Sequence, residues 1–254
     1  MTSHGQILAN PDAEALATAR FGFWTAVAAA LTTVLTFAIA ILTPPLSGQL
    51  CREGCFNYPY LDIAARFPRD YYWMFAAIPA TLLYVAWMVG LHEWATPERR
   101  PVARLGVALA VMAALTLVGD YFVQLAVIEP SILAGESDGI SLLTQYNPHG
   151  VFIALEELGY LLMSLSLACM APALPKSTRL ERAIRWLFVS GFVVNFAVLG
   201  WFLFKFGHGR GYLFEIAVIS VDWLVLIAGT VMTAVVFRRN VAGTRNAAQR
   251  PRQP

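Results

Sequence analysis

The residues of this sequence best suited to chemistry are acidic side chains that stand inside long apolar runs. Asp120, Glu156, Glu157 and Asp222 occur there, and no Lys or Arg lies at the centre of any such run. A carboxyl group can bind a cation, or take up and release a proton. A charge in an apolar layer costs about 2.5–3.5 kcal/mol, so chains keep such residues only where they serve a purpose.

A histidine stands at the start of one of these runs, in the segment LTQYNPHGVFIALEELGY (143–160). The motif NPHG is typical of a helix start, because Asn caps helix N-termini and Pro fits the first turn. In a helix that begins there, His149, Glu156 and Tyr160 share one face at positions i, i+7 and i+11. Glu157 is rotated by about 100° from Glu156. We expect Glu156 to be the buried glutamate of the two.

Polar groups from four runs reach similar depths when each residue advances the helix by about 1.5 Å. Glu156 and Glu157 then lie about 8–9 Å below one edge, Asp120 lies in the same half, and Asp222 is near the midplane. Glu215 comes so close to the edge that we expect it to be solvated. The pattern predicts an outward-facing cavity with His149 at its rim and Asp222 at its floor. Its predicted ligand-binding residues are Asp120, Gln124, His149, Glu156, Glu157, Tyr160, Asn195 and Asp222.

Six apolar runs must position these residues. The 254-residue chain is 58% hydrophobic and 13% charged, with mean hydropathy +0.60, whereas soluble domains carry about 25% charged residues. The first run is longer than the signal-peptide core of about 7–15 residues, so we expect it to be retained. The sequence predicts an all-α, polytopic membrane protein with six transmembrane helices at 21–43, 71–92, 102–128, 151–171, 183–205 and 212–237.

The distribution of Lys and Arg predicts the orientation of these helices. All 18 stand at or beyond helix ends. With a cytoplasmic N-terminus, 13 fall on the cytoplasmic side and five outside, and the loop 129–150 has none. The positive-inside rule therefore predicts that both termini are cytoplasmic.

Three parts of the chain follow from this topology. Residues 1–20 are a cytoplasmic N-terminal segment, residues 21–237 form the six-helix transmembrane domain, and residues 238–254 are a basic, disordered cytoplasmic tail. The net charge of +2 and the lack of a basic stripe argue against nucleic acid. Membrane lipids and a small or lipid-like ligand are the expected partners, and a homo-oligomer stays open.

Two of the three cysteines are close together, in the first outside loop. Cys51 and Cys55 can form a disulfide in an oxidising compartment, and Gly54 would ease the turn between them. The alternative is two free thiols, because the spacing alone does not fix the geometry. Cys169 is expected to serve packing. The four histidines are scattered, so we expect no metal site and no cofactor.

Two strings carry a resemblance: FPRDYYWMF (67–75) and LTQYNPHGVFIALEELGYLLMS (143–164). Through them the chain resembles a group of uncharacterised bacterial integral membrane proteins with six predicted spans, over most of its length except the two tails. The resemblance implies a multi-pass protein of the bacterial inner membrane. It implies no established activity, and no catalytic residue can be carried over from it.

Three functions fit these features. The first is a protein that binds or transports a small ligand, with proton coupling through its carboxyl groups. The second is an intramembrane enzyme that uses carboxyl acid–base chemistry on a lipid or isoprenoid, with unknown catalytic residues. The third is a structural or assembly factor whose polar groups only join helices. The sequence favours the first over the second by a small margin.

Overall fold

The computed structural model describes residues 11–43 and 46–248, and this part of the chain is all-α, without a strand. Short 3-10 turns connect its helices, and a π-helical turn, Gln124–Ile128, joins α3 to α4. The eight α-helices are α1 (Pro11–Leu42), α2 (Tyr72–Trp94), α3 (Arg100–Val123), α4 (Glu129–Leu133), α5 (Ile140–Leu143), α6 (Val151–Met170), α7 (Arg179–Phe206) and α8 (Tyr212–Ala248).

Six helical stretches are long and apolar enough to cross a membrane. They are α1, α2, α6, α7, α8 and the continuous stretch from Pro97 to Leu133 that contains α3 and α4. The prediction of an all-α chain with six long apolar helices is confirmed. Each predicted run corresponds to one of these six helices. About 20 consecutive apolar residues form a helix that is long enough to cross a membrane.

The helix ends differ from the predicted boundaries. α7 begins at Arg179, because Thr178 and Glu181 form a capping box, with the two hydrogen bonds at 3.2 and 2.8 Å. α1 already begins at Pro11, within the expected N-terminal segment. α8 continues through residue 248, so the described part of the expected disordered tail is helical; this part is rich in the helix formers Ala and Arg. Residues 1–10 and 249–254 lie outside the described part.

The six long helices form a closed ring in chain order. α1 packs on α2, α2 on α3, α3 on α6, α6 on α7, α7 on α8, and α8 returns to α1. α6 also contacts α8 directly across the ring. The acidic residues of α3, α6 and α8 are therefore brought toward one another.

Small residues allow α3 and α6 to approach closely. A Cβ added at Gly159 would lie 2.5 Å from the Leu117 side chain, and one added at Gly106 would lie 3.1 Å from the Ser166 carbonyl oxygen. Close helix contacts through glycine are typical of membrane bundles. This contact places Tyr121 of α3 beside Glu156 of α6.

Three loops meet at one end of the bundle, which we call the disulfide end (residues 46–71, 129–150 and 207–211). Cys51 and Cys55 form a disulfide there, with Cα atoms 5.8 Å apart, and Gly54 adopts the left-handed conformation with φ +64°. The predicted disulfide is confirmed. The Gln49 amide donates to the Gly209 carbonyl oxygen at 2.7 Å, which joins the first and third loops.

Candidate functional site

One cavity lies at the disulfide end, between the last turns of α1 and the first turns of α8. Its volume is about 270 Å³. Trp73, Phe152 and Trp223 are among its aromatic walls, and its two acidic residues are Asp70 and Glu215. None of the described side chains that line it belongs to Lys or Arg. The cavity is an apolar space with two carboxyl groups and no cation in its wall.

Asp70 is held by a tyrosine from the loop that precedes α6. The carboxyl group is 2% exposed, and its Oδ2 accepts a hydrogen bond from the Tyr146 hydroxyl at 3.0 Å. Its Oδ1 has no hydrogen-bond partner among the described residues. Burial, and then the nearby Tyr71 and Asp70, raises the pKa of Tyr146, so this phenol stays protonated and donates. The free oxygen can accept a hydrogen bond from a ligand.

Glu215 connects the cavity to a second buried acid. Glu215 is buried in the first turn of α8, close enough to the fully buried Glu156 for the two carboxyl groups to interact electrostatically. The Tyr121 hydroxyl donates to Oε1 of Glu156 at 2.8 Å and lies 3.0 Å from the Tyr160 hydroxyl. Glu156, Tyr121 and Tyr160 therefore form a hydrogen-bonded chain behind Glu215 of the cavity wall. We call Glu215, Glu156, Tyr121 and Tyr160 the acid chain.

The acid chain contains two of the predicted site residues, Glu156 and Tyr160, one layer behind the cavity wall. The expectation that Glu156 is buried agrees with its zero exposure. The expectation that Glu215 is solvated is wrong, because only 9% of the residue is exposed. Its position along α8 alone does not reveal the neighbouring elements that bury it.

Glu157 and His149 belong to a different cavity of about 250 Å³. Glu157 accepts two hydrogen bonds from the Arg210 guanidinium, one of them from Nε to Oε1 at 3.2 Å. His149 is exposed and lines the same cavity. The predicted common face of His149, Glu156 and Tyr160 is wrong, because α6 begins only at Val151 with Gly150 as its N-cap.

The NPHG motif forms a turn rather than the predicted first turn of α6. Oδ1 of Asn147 accepts a hydrogen bond from the backbone N–H of His149 at 2.9 Å. This local bond competes with helix formation and is typical of an Asn at a turn. His149 therefore lies outside the helical register that would have aligned it with Glu156.

Asp120 lies in a third cavity, of about 260 Å³, between α3 and the start of α6. The residue is 3% exposed, and its Oδ2 has no partner among the described residues. Gly119 and Leu155 line the same space. Asp120 therefore does not share a cavity wall with Glu215, in contrast to the single predicted cavity.

Gln124 and Asn195 are occupied by bonds within the protein. The Gln124 amide donates to the Leu143 carbonyl oxygen at 2.6 Å and accepts from the Gln145 backbone N–H at 2.9 Å. The Asn195 amide donates to Oδ1 of Asp222 at 3.0 Å, which joins α7 to α8. Asp222 was predicted as the cavity floor, but it does not line this cavity, whereas Trp223, the next residue, does. Oδ1 of Asn195 and Oδ2 of Asp222 have no hydrogen-bond partner among the described residues.

Sequence reasoning did not select Asp70, which forms the cavity wall opposite Glu215. It stands in FPRDYYW between arginines and ahead of α2, where an acidic residue usually faces water. It is buried in the fold, where its carboxyl group accepts a hydrogen bond from Tyr146, 76 residues away in the sequence. Its position among aromatic residues was the one feature of the local sequence that indicated burial. Within the described part of the chain, no group of three or more His, Cys, Asp or Glu could hold a metal ion.

No protein-family model, no curated protein and no solved structure matches the chain. The chemistry of the site therefore has to be argued from its own residues.

Proposed function

We propose that the chain is a multi-pass protein of the bacterial inner membrane, with six spans and both termini in the cytoplasm. Its six apolar helices support this, and so do the large apolar side chains that face outward, such as Leu42 at 80% and Phe204 at 87% exposure. A monomeric soluble protein rarely exposes a continuous apolar surface of this kind.

The two ends of the bundle support the orientation. The end opposite the disulfide, where the Thr96 backbone N–H bonds to the Ala173 carbonyl oxygen at 2.9 Å, carries most of the Lys and Arg. The disulfide end carries few. The positive-inside rule places the basic end in the cytoplasm. A disulfide persists in the oxidising periplasm, which agrees with this orientation.

We propose further that the protein binds a small ligand from the periplasmic side, in the cavity between α1 and α8, and transports it. The observation that carries this is the cavity wall: a buried Asp70 oxygen without a partner among the described residues and the buried Glu215, with no Lys or Arg among the described side chains that line the cavity. Buried polar groups in folded proteins are nearly always hydrogen-bonded. A ligand would complete the bonding of these two acids.

A pair of substitutions on α1 tests the cavity. Ala40 lines it, whereas Ala38 is exposed two residues earlier on the same helix. Ala40→Phe should fill the space, and Ala38→Phe adds the same ring outside. Native mass spectrometry of the protein in lipid discs should find a discrete small molecule on the wild type and on Ala38→Phe, and lose it on Ala40→Phe.

The same measurement separates this function from its alternatives. Bulk lipid alone on all three proteins, with unchanged melting temperatures, would overturn ligand binding and favour a structural role. A bound molecule that the wild type converts to a second species, and that Glu156→Gln leaves unchanged, would favour the intramembrane enzyme.

A further inference from the structure

Two polar side chains in the wall of the cavity between α1 and α8 carry atoms that the fold leaves unbonded. Oδ1 of Asp70 is an acceptor and Nε2 of Gln145 is a donor, and each is buried without a hydrogen-bond partner among the described residues. The other oxygen of Asp70 accepts from the Tyr146 hydroxyl at 3.0 Å, which holds the carboxyl group in place. Because buried polar atoms are nearly always bonded in folded proteins, an open acceptor and an open donor in one wall indicate a bound molecule.

The charges around this cavity favour a cation over an anion. Glu215 is the second acid of the wall, and none of the described side chains that line the cavity is Lys or Arg. Of the two arginines near Asp70 in the sequence, Arg69 is exposed, and Arg66 lies over the Phe56 ring at 5.8 Å from its centroid. Neither of them forms an ion pair with Asp70. An anion would meet two acids and no cation in this wall, whereas a cation would meet acceptors only.

Aromatic rings supply most of the apolar part of the wall. They belong to Phe37, Trp73, Tyr146, Phe152, Tyr212 and Trp223. Aromatic faces attract ammonium groups, and they also bury apolar carbon. The volume of about 270 Å³ lies just below the usual range for ligand pockets, roughly 300–1,000 Å³, so the space suits a compact molecule rather than a peptide.

We infer that the cavity binds a small organic ammonium ion with an apolar, ring-bearing body. The inference rests on the proposed function and names its ligand class. The ammonium donates a hydrogen bond to Oδ1 of Asp70, and the carboxyl group of Glu215 offers further acceptor oxygens. The body of the ligand packs against the rings of Trp73 and Trp223. The Gln145 amide is free to donate to an oxygen atom of the ligand.

The probes for this ligand class are 2-phenylethylammonium and its neutral isostere 2-phenylethanol. Calorimetric titration of the protein in lipid discs at about pH 7, where aliphatic amines are protonated, measures both affinities. Empty discs are titrated in the same way, so that partition into lipid is subtracted. Wild type and Ala38→Phe should bind the ammonium at least about tenfold more tightly than the alcohol, because only the ammonium is a charged donor. Ala40→Phe should bind neither probe above the empty discs.

Asp70→Asn tests the contact with the ammonium. The amide keeps the size of the side chain and an oxygen that accepts from Tyr146, but it carries no negative charge. The affinity for the ammonium should fall by about tenfold or more, and the affinity for the alcohol by less than about twofold. Asp62→Asn is the matched control, since Asp62 is an exposed acid of the same loop that does not line the cavity. It should leave both affinities unchanged.

Each contrary result has a distinct meaning. Equal affinities of the wild type for the two probes, or no binding of the ammonium above Ala40→Phe, would overturn the ligand class. This comparison needs no change at Asp70, so it holds even if Asp70→Asn does not fold. Unchanged ammonium affinity in Asp70→Asn, or an equal loss of both probes, would overturn the contact with Asp70. A co-purified molecule that Ala40→Phe loses and Ala38→Phe keeps would uphold the proposed function in each of these cases.

Discussion

Glu156 and Glu157 are neighbours on α6, yet their carboxyl groups have opposite surroundings on the two sides of this helix. On one side Glu156 faces another acid and two phenols. On the other side Glu157 accepts hydrogen bonds from two nitrogens of the Arg210 guanidinium. The first carboxyl group forms no ion pair among the described residues, and the second has a permanent cationic partner.

The difference follows from what each neighbouring element contributes. α3 and α8 present Tyr121 and Glu215 to Glu156, whereas the loop before α8 presents Arg210 to Glu157. A guanidinium stays charged at every physiological pH, so the Glu157 side is fixed. Glu156 accepts a hydrogen bond from the Tyr121 hydroxyl and forms no ion pair among the described residues. The two adjacent acids therefore differ in whether a permanent cation neutralises them.

Removing the ion pair between Glu157 and Arg210 should have the largest effect on stability. Arg210→Gln leaves Glu157, only 10% exposed, without its countercharge. Removing one partner of a buried ion pair costs 3–5 kcal/mol, and we expect about 3 kcal/mol because Arg210 keeps 28% exposure. Equilibrium unfolding in mixed micelles measures this loss.

The matched control for this change is Lys205→Gln, at an exposed cation that contacts only aromatic rings. It should alter the free energy of unfolding by less than about 0.5 kcal/mol. The double variant Glu157→Gln/Arg210→Gln should recover most of the loss, since neither charge is then left alone. Equal losses for Arg210→Gln and Lys205→Gln would mean that the ion pair does not fix this side.

A smaller loss is expected from Tyr121→Phe on the other side of α6. The change removes the donor to Oε1 of Glu156 and leaves the packing of the ring against Trp73 in place. Hydrogen bonds to charged groups contribute about 1.5–3 kcal/mol, so we expect a loss of about 2 kcal/mol in the same unfolding assay. Tyr72→Phe, at an exposed hydroxyl on α2, is the control and should have no measurable effect.

The helices of this protein could be predicted from sequence because each is specified by its own apolar run. The six runs and the disulfide follow from local composition and spacing. The burial of Glu156 also follows, since its position on one helix places it below the surface.

The cavity could not be predicted in the same way, because loops far apart in sequence build it. Tyr146 buries Asp70, and the Tyr212 hydroxyl donates to the Gln145 carbonyl oxygen at 2.9 Å. The position of a residue along its own helix predicts its depth without regard to neighbouring helices and loops. On that basis Glu215 was expected in water and Asp222 at the floor of the cavity. A single turn at 147–150 removed His149 from the face of Glu156.

The bond between α7 and α8 tests whether every buried acid of the bundle behaves like the acid chain. Asn195→Leu removes the donor to Asp222. Hydrogen bonds between membrane helices contribute about 0.6 kcal/mol on average and up to about 1.7 kcal/mol, so we expect a loss of about 1 kcal/mol. The small molecule found on the wild type by native mass spectrometry should remain bound to this variant. Its loss would extend the site to Asp222.

The smallest change in stability is expected from Glu156→Gln, although this residue is more deeply buried than Glu157. The amide keeps the size of the side chain, and its oxygen accepts the hydrogen bond from Tyr121. We expect the free energy of unfolding to change by less than about 1 kcal/mol, because no buried group loses its partner. Glu157→Gln leaves Arg210 without a carboxylate and should cost more in the same assay. If Glu156→Gln proved the more destabilising of the two, the carboxylate of Glu156 would be a fixed structural charge, and the contrast between the two sides of α6 would fail.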